Sequence, residues 1–182
     1  MIFNELPLTD LFLIKPRIFE DDRGFFYESF HQGKFQINGI DINIVQQNHS
    51  GSKKNILRGL HYQIKNSQGK LVRVLKGEVF DVAVDLRKSS PTFGCWEGIN
   101  LSDENKNELW IPPGFAHGFY VLSNWVEVEY STTDFYDPQS ERTIIWNDPE
   151  LNIKWPIPDG EKPILSDKDS QGKLFKDAEI YE

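Results

Sequence analysis

The feature that most constrains the fold is a succession of short apolar or alternating segments, each ended by turn residues. The clearest segment, residues 79–86, is rich in valine, and residues 125–133 alternate between apolar and polar side chains. Such patterns are typical of β-strands, because successive side chains of a strand point to opposite faces of the sheet. Helical patterns are scarce between the segments. The sequence therefore predicts an all-β protein, an antiparallel sandwich or barrel, rather than α/β units.

Further strands are predicted at residues 11–14, 25–28, 42–48, 71–75, 108–111 and 116–122, with turns at 21–24, 49–52 and 76–78. A helical turn or two is expected within residues 29–35. A second short helix is expected to begin at Ser166, because a serine hydroxyl caps a helix and the acidic Asp167 and Asp169 are favoured in its first turn.

Length and composition favour a single domain. The chain has 182 residues, of which 38% are hydrophobic and 13% aromatic, enough for a proper core. No linker or repeat divides residues 1–182, and we expect residues 146–182 to form a C-terminal segment wrapped on the sheet. The absence of a charged N-terminal region followed by an apolar run predicts a soluble, cytoplasmic protein that does not enter the membrane.

Charge and cysteine content exclude several classes of function. The net charge is −8, which argues against a nucleic-acid partner but permits a local basic pocket for a phosphorylated ligand. Cys95 is the only cysteine, so neither an intrachain disulfide nor a cysteine-based zinc site is possible.

The densest group of chemically useful residues is Arg58-Gly59-Leu60-His61-Tyr62-Gln63, followed closely by Lys70. A histidine is well suited to accept a proton at neutral pH. Arg58 and Lys70 would attract an anionic substrate, and we expect their charges to lower the pKa of His61 and keep it neutral. The alternative is a structural histidine on a strand.

His117 follows a Pro-x-Gly-x-x-His pattern that recurs in cupin-type jelly rolls, where the turn places a histidine at the mouth of the barrel. Metal-binding cupins add a His-x-His pair and a glutamate from an earlier strand. Here His61 is followed by Tyr62 and Gln63, so a third ligand is missing and no metal site is expected. A substrate contact and a core histidine that bridges strands both remain open for His117.

Two further residues are candidates for proton transfer. Tyr130 shares strand parity with Val126 and Val128, which predicts an inward-facing phenol able to donate a proton to an enolate. A carboxylate such as that of Asp169 would fix the tautomer of a histidine base. No spacing rule connects Asp169 to His61, so the alternative for Asp169 is a solvated helix start. The alternative for Tyr130 is a buried core tyrosine.

Eight blocks of sequence together form a recognisable pattern: residues 22–29, 45–50, 57–63, 68–73, 77–85, 90–94, 110–119 and 164–169. In order and spacing, these blocks resemble the dTDP-4-dehydrorhamnose 3,5-epimerases over nearly the whole chain. The resemblance implies a cupin-like jelly roll with a few short helices, a homodimer, and neither a metal nor an organic cofactor. It also implies epimerisation at carbons 3 and 5 of dTDP-4-dehydro-6-deoxy-D-glucose, a step that supplies rhamnose for surface polysaccharide such as O-antigen.

The resemblance assigns a role to each candidate. His61 would be the base, Asp169 its orienting partner, Tyr130 the acid on the opposite face, and Lys70 the cation that stabilises the enolate oxygen. Arg58 would lie beside the same carbonyl or the pyrophosphate, and Phe19 and Tyr136 would flank the nucleotide base. The other implied substrate contacts are Arg23, Glu28, Gln46, Asn48, His117, Glu141 and Lys168.

The resemblance also implies that residues 19–28 of one subunit complete the pocket of its partner, so that residues 1–30 form an exchanged arm. One departure concerns the acid strand, where the family often has Tyr-Lys-x-Thr and this chain has Tyr130-Ser131-Thr132-Thr133. We expect the missing lysine to remove a cation near Tyr130. A single-site epimerase or ketoisomerase on a related nucleotide sugar, and a non-catalytic cupin that only binds such a sugar, are the alternative functions.

Overall fold

The computed structural model describes residues 1–182 and contains thirteen strands. The strands are β1 (Ile2–Glu5), β2 (Phe12–Lys15), β3 (Ile18–Asp21), β4 (Gly24–Tyr27), β5 (Gln46–Lys53), β6 (Leu57–Gln63), β7 (Lys70–Lys76), β8 (Glu78–Asp85), β9 (Trp96–Ser102), β10 (Glu108–Ile111), β11 (Phe115–Val121), β12 (Trp125–Thr132) and β13 (Glu141–Thr143). The helices are short: α1 (Gln32–Ile37), α2 (Asp167–Ser170) and a 3₁₀ turn at Phe175–Asp177. None of them is long and apolar enough to cross a membrane.

The strands form two main antiparallel sheets, in agreement with the predicted all-β class. One sheet has the order β1-β2-β10-β7-β12-β5 and the other the order β13-β6-β11-β8-β9, while β3 and β4 form a separate hairpin. A cluster of 14 buried residues packs between the sheets. The cluster includes Val72 and Val74 of β7, Val126 and Val128 of β12, and Val79 and Ala83 of β8. The alternation seen in the sequence thus directs one face of each strand into this core.

The outer faces of both sheets are also covered. Leu151, Trp155 and Phe175, from the C-terminal segment, pack against the outer face of the five-stranded sheet. Phe35 of α1, with Ile40 and Ile42 just after it, packs against the outer face of the six-stranded sheet.

The predicted turn at residues 49–52 is wrong, because β5 continues through it. These residues pair with β12 in an unbroken register from Gln46 opposite Thr132 to Lys53 opposite Trp125. Gly51, which suggested a turn, lies beneath the indole of Trp125, and a Cβ on Gly51 would lie 2.5 Å from Cζ2 of that ring. The close side-chain contact within the strand therefore requires a glycine, and the glycine does not mark a chain reversal. Strands β1, β3, β9 and β13 were not anticipated.

The short helices lie close to their predicted positions. Helix α1 begins three residues after the predicted start at residue 29, at Gln32. Ser166 caps α2, where its Oγ accepts a hydrogen bond of 3.1 Å from the backbone N–H of Asp169. The cap fixes the backbone of Asp169, one of the candidate site residues, at the first turn of α2.

Candidate active site

A cavity of about 380 Å³ opens between the two sheets. Its lining brings together most of the candidates from the sequence: Gln46, Asn48, Arg58, His61, Lys70, His117, Tyr130, Tyr136, Glu141 and Lys168. These residues come from strands of both sheets, from the loop that precedes β13, and from α2. A volume of this size is typical of small-molecule sites.

His61 is paired with Asp169 across 108 residues of sequence. The imidazole Nε2 lies 2.5 Å from Oδ1 of Asp169, whose other oxygen accepts a hydrogen bond of 2.7 Å from the Ser166 hydroxyl. Asp169 is 3% exposed. An ionised carboxylate only accepts hydrogen bonds, so Nε2 of His61 carries the proton and Nδ1 is the nitrogen able to accept one. The structure thus joins two residues that no spacing rule connected.

Burial is the main reason that the pKa of His61 is lowered. The hydrogen bond to Asp169 opposes this shift, and the charges of Lys168 and Lys70 add to it. The predicted effect of Lys70 on the pKa of His61 is therefore confirmed, but burial is the larger cause, and the charge of Arg58 is not among the causes. Arg58 is held toward β5, where its Nε donates to Ser52 Oγ at 3.0 Å and its Nη2 to the carbonyl of Gly51 at 3.3 Å. A lowered pKa leaves His61 neutral at neutral pH, as a base must be.

Lys70 provides a buried cation beside the histidine. It is 8% exposed, and its Nζ donates to the backbone carbonyl of His61 at 3.3 Å. Burial lowers the pKa of Lys70 to about 8, while the negative charges of Asp81 and Glu141 oppose the shift. The ammonium is therefore still charged at neutral pH, and it is poised to stabilise a developing negative oxygen.

Tyr130 faces the cavity from the sheet opposite His61. It packs against the core cluster that contains Val126 and Val128. This confirms the prediction that Tyr130 shares the inward face of β12 with these valines. Burial raises the pKa of its phenol, and the positive charge of Arg58 lowers it. Because β12 and β6 belong to different sheets, the imidazole of His61 and the phenol of Tyr130 lie on opposite walls of one cavity.

Ser131, where the family often has lysine, faces away from the cavity. Its Oγ accepts a hydrogen bond of 3.3 Å from Nε2 of Gln47, and it lines a small cavity on the outer face of the sheet with Arg73 and Glu108. A side chain at this position leaves the strand on the face opposite Tyr130. The expected loss of a cation beside the phenol is therefore wrong.

His117 lies directly opposite His61 in the register of β11 and β6. Its Nε2 lies 2.9 Å from both carboxylate oxygens of Asp81, which is fully buried on β8. His117 therefore bridges two strands and also lines the cavity. Asp81 was not among the residues predicted from the sequence. The sequence signal for it was a charged residue within a valine-rich strand, because a buried charge needs a partner.

Polar side chains form a connected rim at the mouth. Lys168 Nζ donates to Glu141 Oε1 at 2.5 Å, and the Tyr136 hydroxyl donates to the other oxygen of Glu141 at 3.0 Å. The backbone N–H of Tyr136 donates to Gln46 Oε1 at 3.0 Å, and the amide of Gln46 donates to Asn48 Oδ1 at 3.0 Å. The rim therefore presents the ammonium of Lys168, the carboxylate of Glu141 and the ring of Tyr136 at the entrance.

Three candidates lie away from this cavity. Phe19 and Arg23 belong to the hairpin of β3 and β4, where the Arg23 guanidinium pairs with Asp21. Glu28 pairs with Lys34, with its Oε1 2.5 Å from Nζ. No group of three or more His, Cys, Asp or Glu side chains is arranged to hold a metal ion. Each of the two cavity histidines is bonded to one aspartate instead.

Comparison with known proteins finds relatives over nearly the whole chain. Residues 5–177 match the family model described as dTDP-4-dehydrorhamnose 3,5-epimerase. An enzyme of that name from Pseudomonas aeruginosa is 58% identical over 179 residues, which cover 98% of each chain. The dTDP-6-deoxy-D-glucose-3,5-epimerase of Legionella pneumophila, solved in complex with dTDP-4-keto-L-rhamnose, has a TM-score of 0.93 and 51% identity, covering 98% of this chain and 94% of that one.

A more distant structure is ChmJ, a 3'-monoepimerase from Streptomyces bikiniensis in complex with dTDP-quinovose. It has a TM-score of 0.86 and 33% identity, and the match covers 93% of this chain and 85% of that one. Both the family model and the full-length relatives span the strands that build the cavity. The chain therefore belongs to the dTDP-4-dehydrorhamnose 3,5-epimerase family of isomerases.

Proposed function

We propose that the protein inverts carbons 3 and 5 of dTDP-4-dehydro-6-deoxy-D-glucose to give dTDP-4-dehydro-L-rhamnose. The observation that carries the proposal is the pair of His61 and Asp169 on the wall opposite Tyr130. Inversion at a carbon requires a proton to leave one face and another to arrive on the opposite face. The reaction is a step of dTDP-L-rhamnose biosynthesis, and we place it in the cytoplasm.

The chemistry begins with the ketone at carbon 4, which acidifies the hydrogens on carbons 3 and 5. His61 removes one of these protons, and the electron pair of the broken C–H bond moves onto the carbonyl oxygen to form an enolate. The ammonium of Lys70 stabilises that oxygen. Tyr130 then donates its phenolic proton to the opposite face of the carbon. Exchange with solvent then removes the added proton from His61 and returns a proton to Tyr130 before the second inversion.

Asp169 acts through His61. Its carboxylate keeps the proton on Nε2 and stabilises the imidazolium that forms when Nδ1 accepts the substrate proton. The Ser166 hydroxyl donates a hydrogen bond to the carboxylate and accepts one from the backbone N–H of Asp169, so that it holds both ends of this residue in place. The cap of a four-residue helix thus contributes to the orientation of the base.

The nucleotide is bound at the mouth of the cavity in this proposal. Arg58 and Lys168 supply positive charge for the pyrophosphate, and Tyr136 offers an aromatic face for the base. Gln46, Asn48, His117 and Glu141 supply hydrogen-bonding groups around the sugar. This local concentration of cations explains how a chain with a net charge of −8 binds an anionic substrate.

The remaining substrate contacts come from a second copy of the chain. Phe19, Phe25 and Phe26 on the hairpin of β3 and β4 are 51%, 59% and 71% exposed, which marks an interaction surface. We propose a homodimer in which this hairpin reaches the partner's cavity and brings Phe19, Arg23 and Glu28 to its substrate.

Hybrid dimers test this arrangement. Arg23→Ala and His61→Ala are each expected to be nearly inactive alone. If the hairpin crosses between subunits, the hybrid contains one site with both wild-type residues. Equal mixing after co-refolding should then restore up to about a quarter of wild-type activity, because half of the dimers are hybrids with one intact site. No recovery, with hybrids demonstrated by native mass spectrometry, would contradict the exchange.

A single-site epimerase is the second candidate, favoured by the similarity to a 3'-monoepimerase. Proton NMR of dTDP-4-keto-6-deoxy-glucose with the protein in deuterated water separates the two. Deuterium at both carbons, with the product trapped by a reductase as the rhamnose sugar, is the expected result. Deuterium at one carbon would establish the single-site enzyme. Binding without any deuterium incorporation would sink the catalytic proposal.

A further inference from the structure

The loop of residues 134–137 carries Tyr136 to the mouth of the cavity, and neither of its aromatic rings is anchored by burial. Phe135 is 64% exposed and Tyr136 is 52% exposed. Residues 134–136 make no hydrogen bond from backbone to backbone. A segment without such bonds and without buried apolar contacts is free to move unless side chains hold it. Side-chain hydrogen bonds must therefore hold Tyr136 in position.

Gln63 holds the loop on both sides of Tyr136. Its amide nitrogen donates to the carbonyl of Phe135 at 3.2 Å, and its amide oxygen accepts from the N–H of Asp137 at 2.9 Å. The second amide hydrogen is donated to the carbonyl of Asn66 at 2.8 Å. Gln63 is buried, and both of its donors and its oxygen are bonded to backbone groups. It lines the cavity, yet it has no donor left for a substrate.

Tyr136 has two further restraints. Gln63 lies opposite Glu141 in the register of β6 and β13, and Glu141 accepts the hydrogen bond from the Tyr136 hydroxyl. Gln46 accepts a hydrogen bond from the backbone N–H of Tyr136. Gln63 also lies two residues after His61 on β6, so both side chains leave the strand on the same face. One strand thus carries His61 and a residue that restrains Tyr136.

We propose that Gln63 is a positioning residue that fixes the loop of residues 134–137 and thereby holds the ring of Tyr136 in place for the nucleotide base. This role rests on the proposed contact between Tyr136 and the base. A ring that is already in place binds the base more tightly, because the loop need not be ordered when the nucleotide arrives. Gln63 should therefore affect the affinity for the nucleotide and not the proton transfers at His61 and Tyr130.

The affinity for dTDP tests the proposal without turnover. Gln63→Met removes all three hydrogen bonds and keeps a side chain of similar size. We expect it to weaken the binding of dTDP by about three- to tenfold, which corresponds to a loop that is in place about a third to a tenth of the time. The affinity for inorganic pyrophosphate, which has no base, should not change. Calorimetry measures both affinities, and equal losses for the two ligands would overturn the proposal.

A double-mutant cycle shows whether Gln63 acts through the ring of Tyr136. Tyr136→Ala should weaken dTDP binding by about 5- to 150-fold, the usual loss when a base loses an aromatic stacking partner. Gln63→Met in the Tyr136→Ala background should cause no further loss, because the loop then has no ring to present. Additive losses would overturn the proposal. An unchanged affinity in Tyr136→Ala would overturn both the base contact and the role of Gln63.

Amide hydrogen exchange of the free protein measures the restraint on the loop directly. In Gln63→Met the backbone N–H groups of Tyr136 and Asp137 should exchange faster, while those of β12 keep their wild-type protection. Unchanged exchange at both residues would contradict the restraint. If Gln63→Met does not fold, Gln63→Ala removes the same hydrogen bonds and leaves room for water to pair with the freed backbone groups.

Gln32→Met is the matched control. The Gln32 amide donates to the backbone carbonyl of Ile42 at 3.2 Å, outside the cavity. This variant should bind dTDP and pyrophosphate as the wild type does, and a loss equal to that of Gln63→Met would overturn the proposal.

Turnover separates this inference from the proposed reaction. With the sugar nucleotide, Gln63→Met should raise KM by about the same factor as the dissociation constant of dTDP, while kcat stays near the wild-type value. A lower kcat with unchanged KM would contradict a role in positioning Tyr136. Failure of the proposed epimerisation would appear instead as absence of deuterium in the sugar, with the dTDP affinities unaffected.

Discussion

Buried acids behave differently beside the cavity and on the outer face of the six-stranded sheet. Beside the cavity, Asp169 and Asp81 are each bonded to a histidine that lines it. Outside, Glu108 is 1% exposed and neither of its carboxylate oxygens has a hydrogen-bond partner. Its neighbour Arg73 donates from both Nε and Nη2 to Glu129 instead, at 2.7 and 2.6 Å. The acids of the two regions are thus buried to a similar degree, but Asp169 and Asp81 have hydrogen-bond partners and Glu108 has none.

The difference shows how this fold keeps a buried carboxylate ionised. Burial by itself raises the pKa of Asp169, but the hydrogen bonds from His61 and Ser166 outweigh it and bring the pKa below the ordinary value. Glu108 lacks such donors, and burial raises its pKa to about 8. At neutral pH Asp169, beside His61, is therefore charged, and Glu108, on the outer face, is protonated.

The largest effect is expected from removal of the paired base. His61→Ala should reduce epimerisation by roughly 10²–10⁴-fold, the usual contribution of a general base, while the nucleotide sugar still binds. Turnover and binding are measured by NMR and calorimetry. His49→Ala is the control, because His49 lies on β5 with an exposed side chain. Normal turnover in His61→Ala would refute the role of the His61–Asp169 pair.

A more selective loss is expected from removal of the acid on the opposite wall. In Tyr130→Phe we expect inversion to be lost while some exchange of substrate protons with solvent continues, because abstraction requires only His61. Deuterium incorporation and product stereochemistry are read from the same NMR spectra. Tyr120→Phe is the control, since that hydroxyl bonds to Asn55 outside the cavity. If exchange disappears as completely as in His61→Ala, Tyr130 is not a separate acid.

The smallest effect concerns stability rather than activity. The folded protein holds a proton on Glu108 up to a pKa of about 8, whereas the unfolded chain releases it near the ordinary value of 4.5. The free energy of unfolding should therefore fall as pH rises through this window, by up to about 1.4 kcal/mol per unit. Glu108→Gln removes this contribution. We expect it to match wild type at pH 5 and to be more stable by about 1–3 kcal/mol at pH 8.

Urea unfolding at both pH values measures this difference. Glu104→Gln, at an exposed position, should show the wild-type pH dependence. Identical pH dependence in Glu108→Gln and wild type would mean that Glu108 is already ionised in the folded protein. In that case the contrast between the cavity and the outer face would not hold.

Local regularities allowed much of the fold to be predicted from the sequence. The alternation in residues 125–133 correctly placed Tyr130 on the inward face, and the serine at position 166 correctly marked the start of α2. Both depend on neighbours within a few residues, where strand parity and helix capping operate. The turn expected at residues 49–52 failed because Gly51 is explained by the indole of Trp125, a residue far away in sequence.

The sequence by itself therefore determined the strand content, the inward and outward faces of the strands, and the residue types available for proton transfer. Only the tertiary structure decided how those residues are paired. Asp169 meets His61 across 108 residues, Asp81 meets His117 across 36, and Glu108 meets no donor at all. The physical reason is that periodicity is a property of consecutive residues, whereas the pKa of a buried group depends on which distant strands and helices supply its hydrogen bonds.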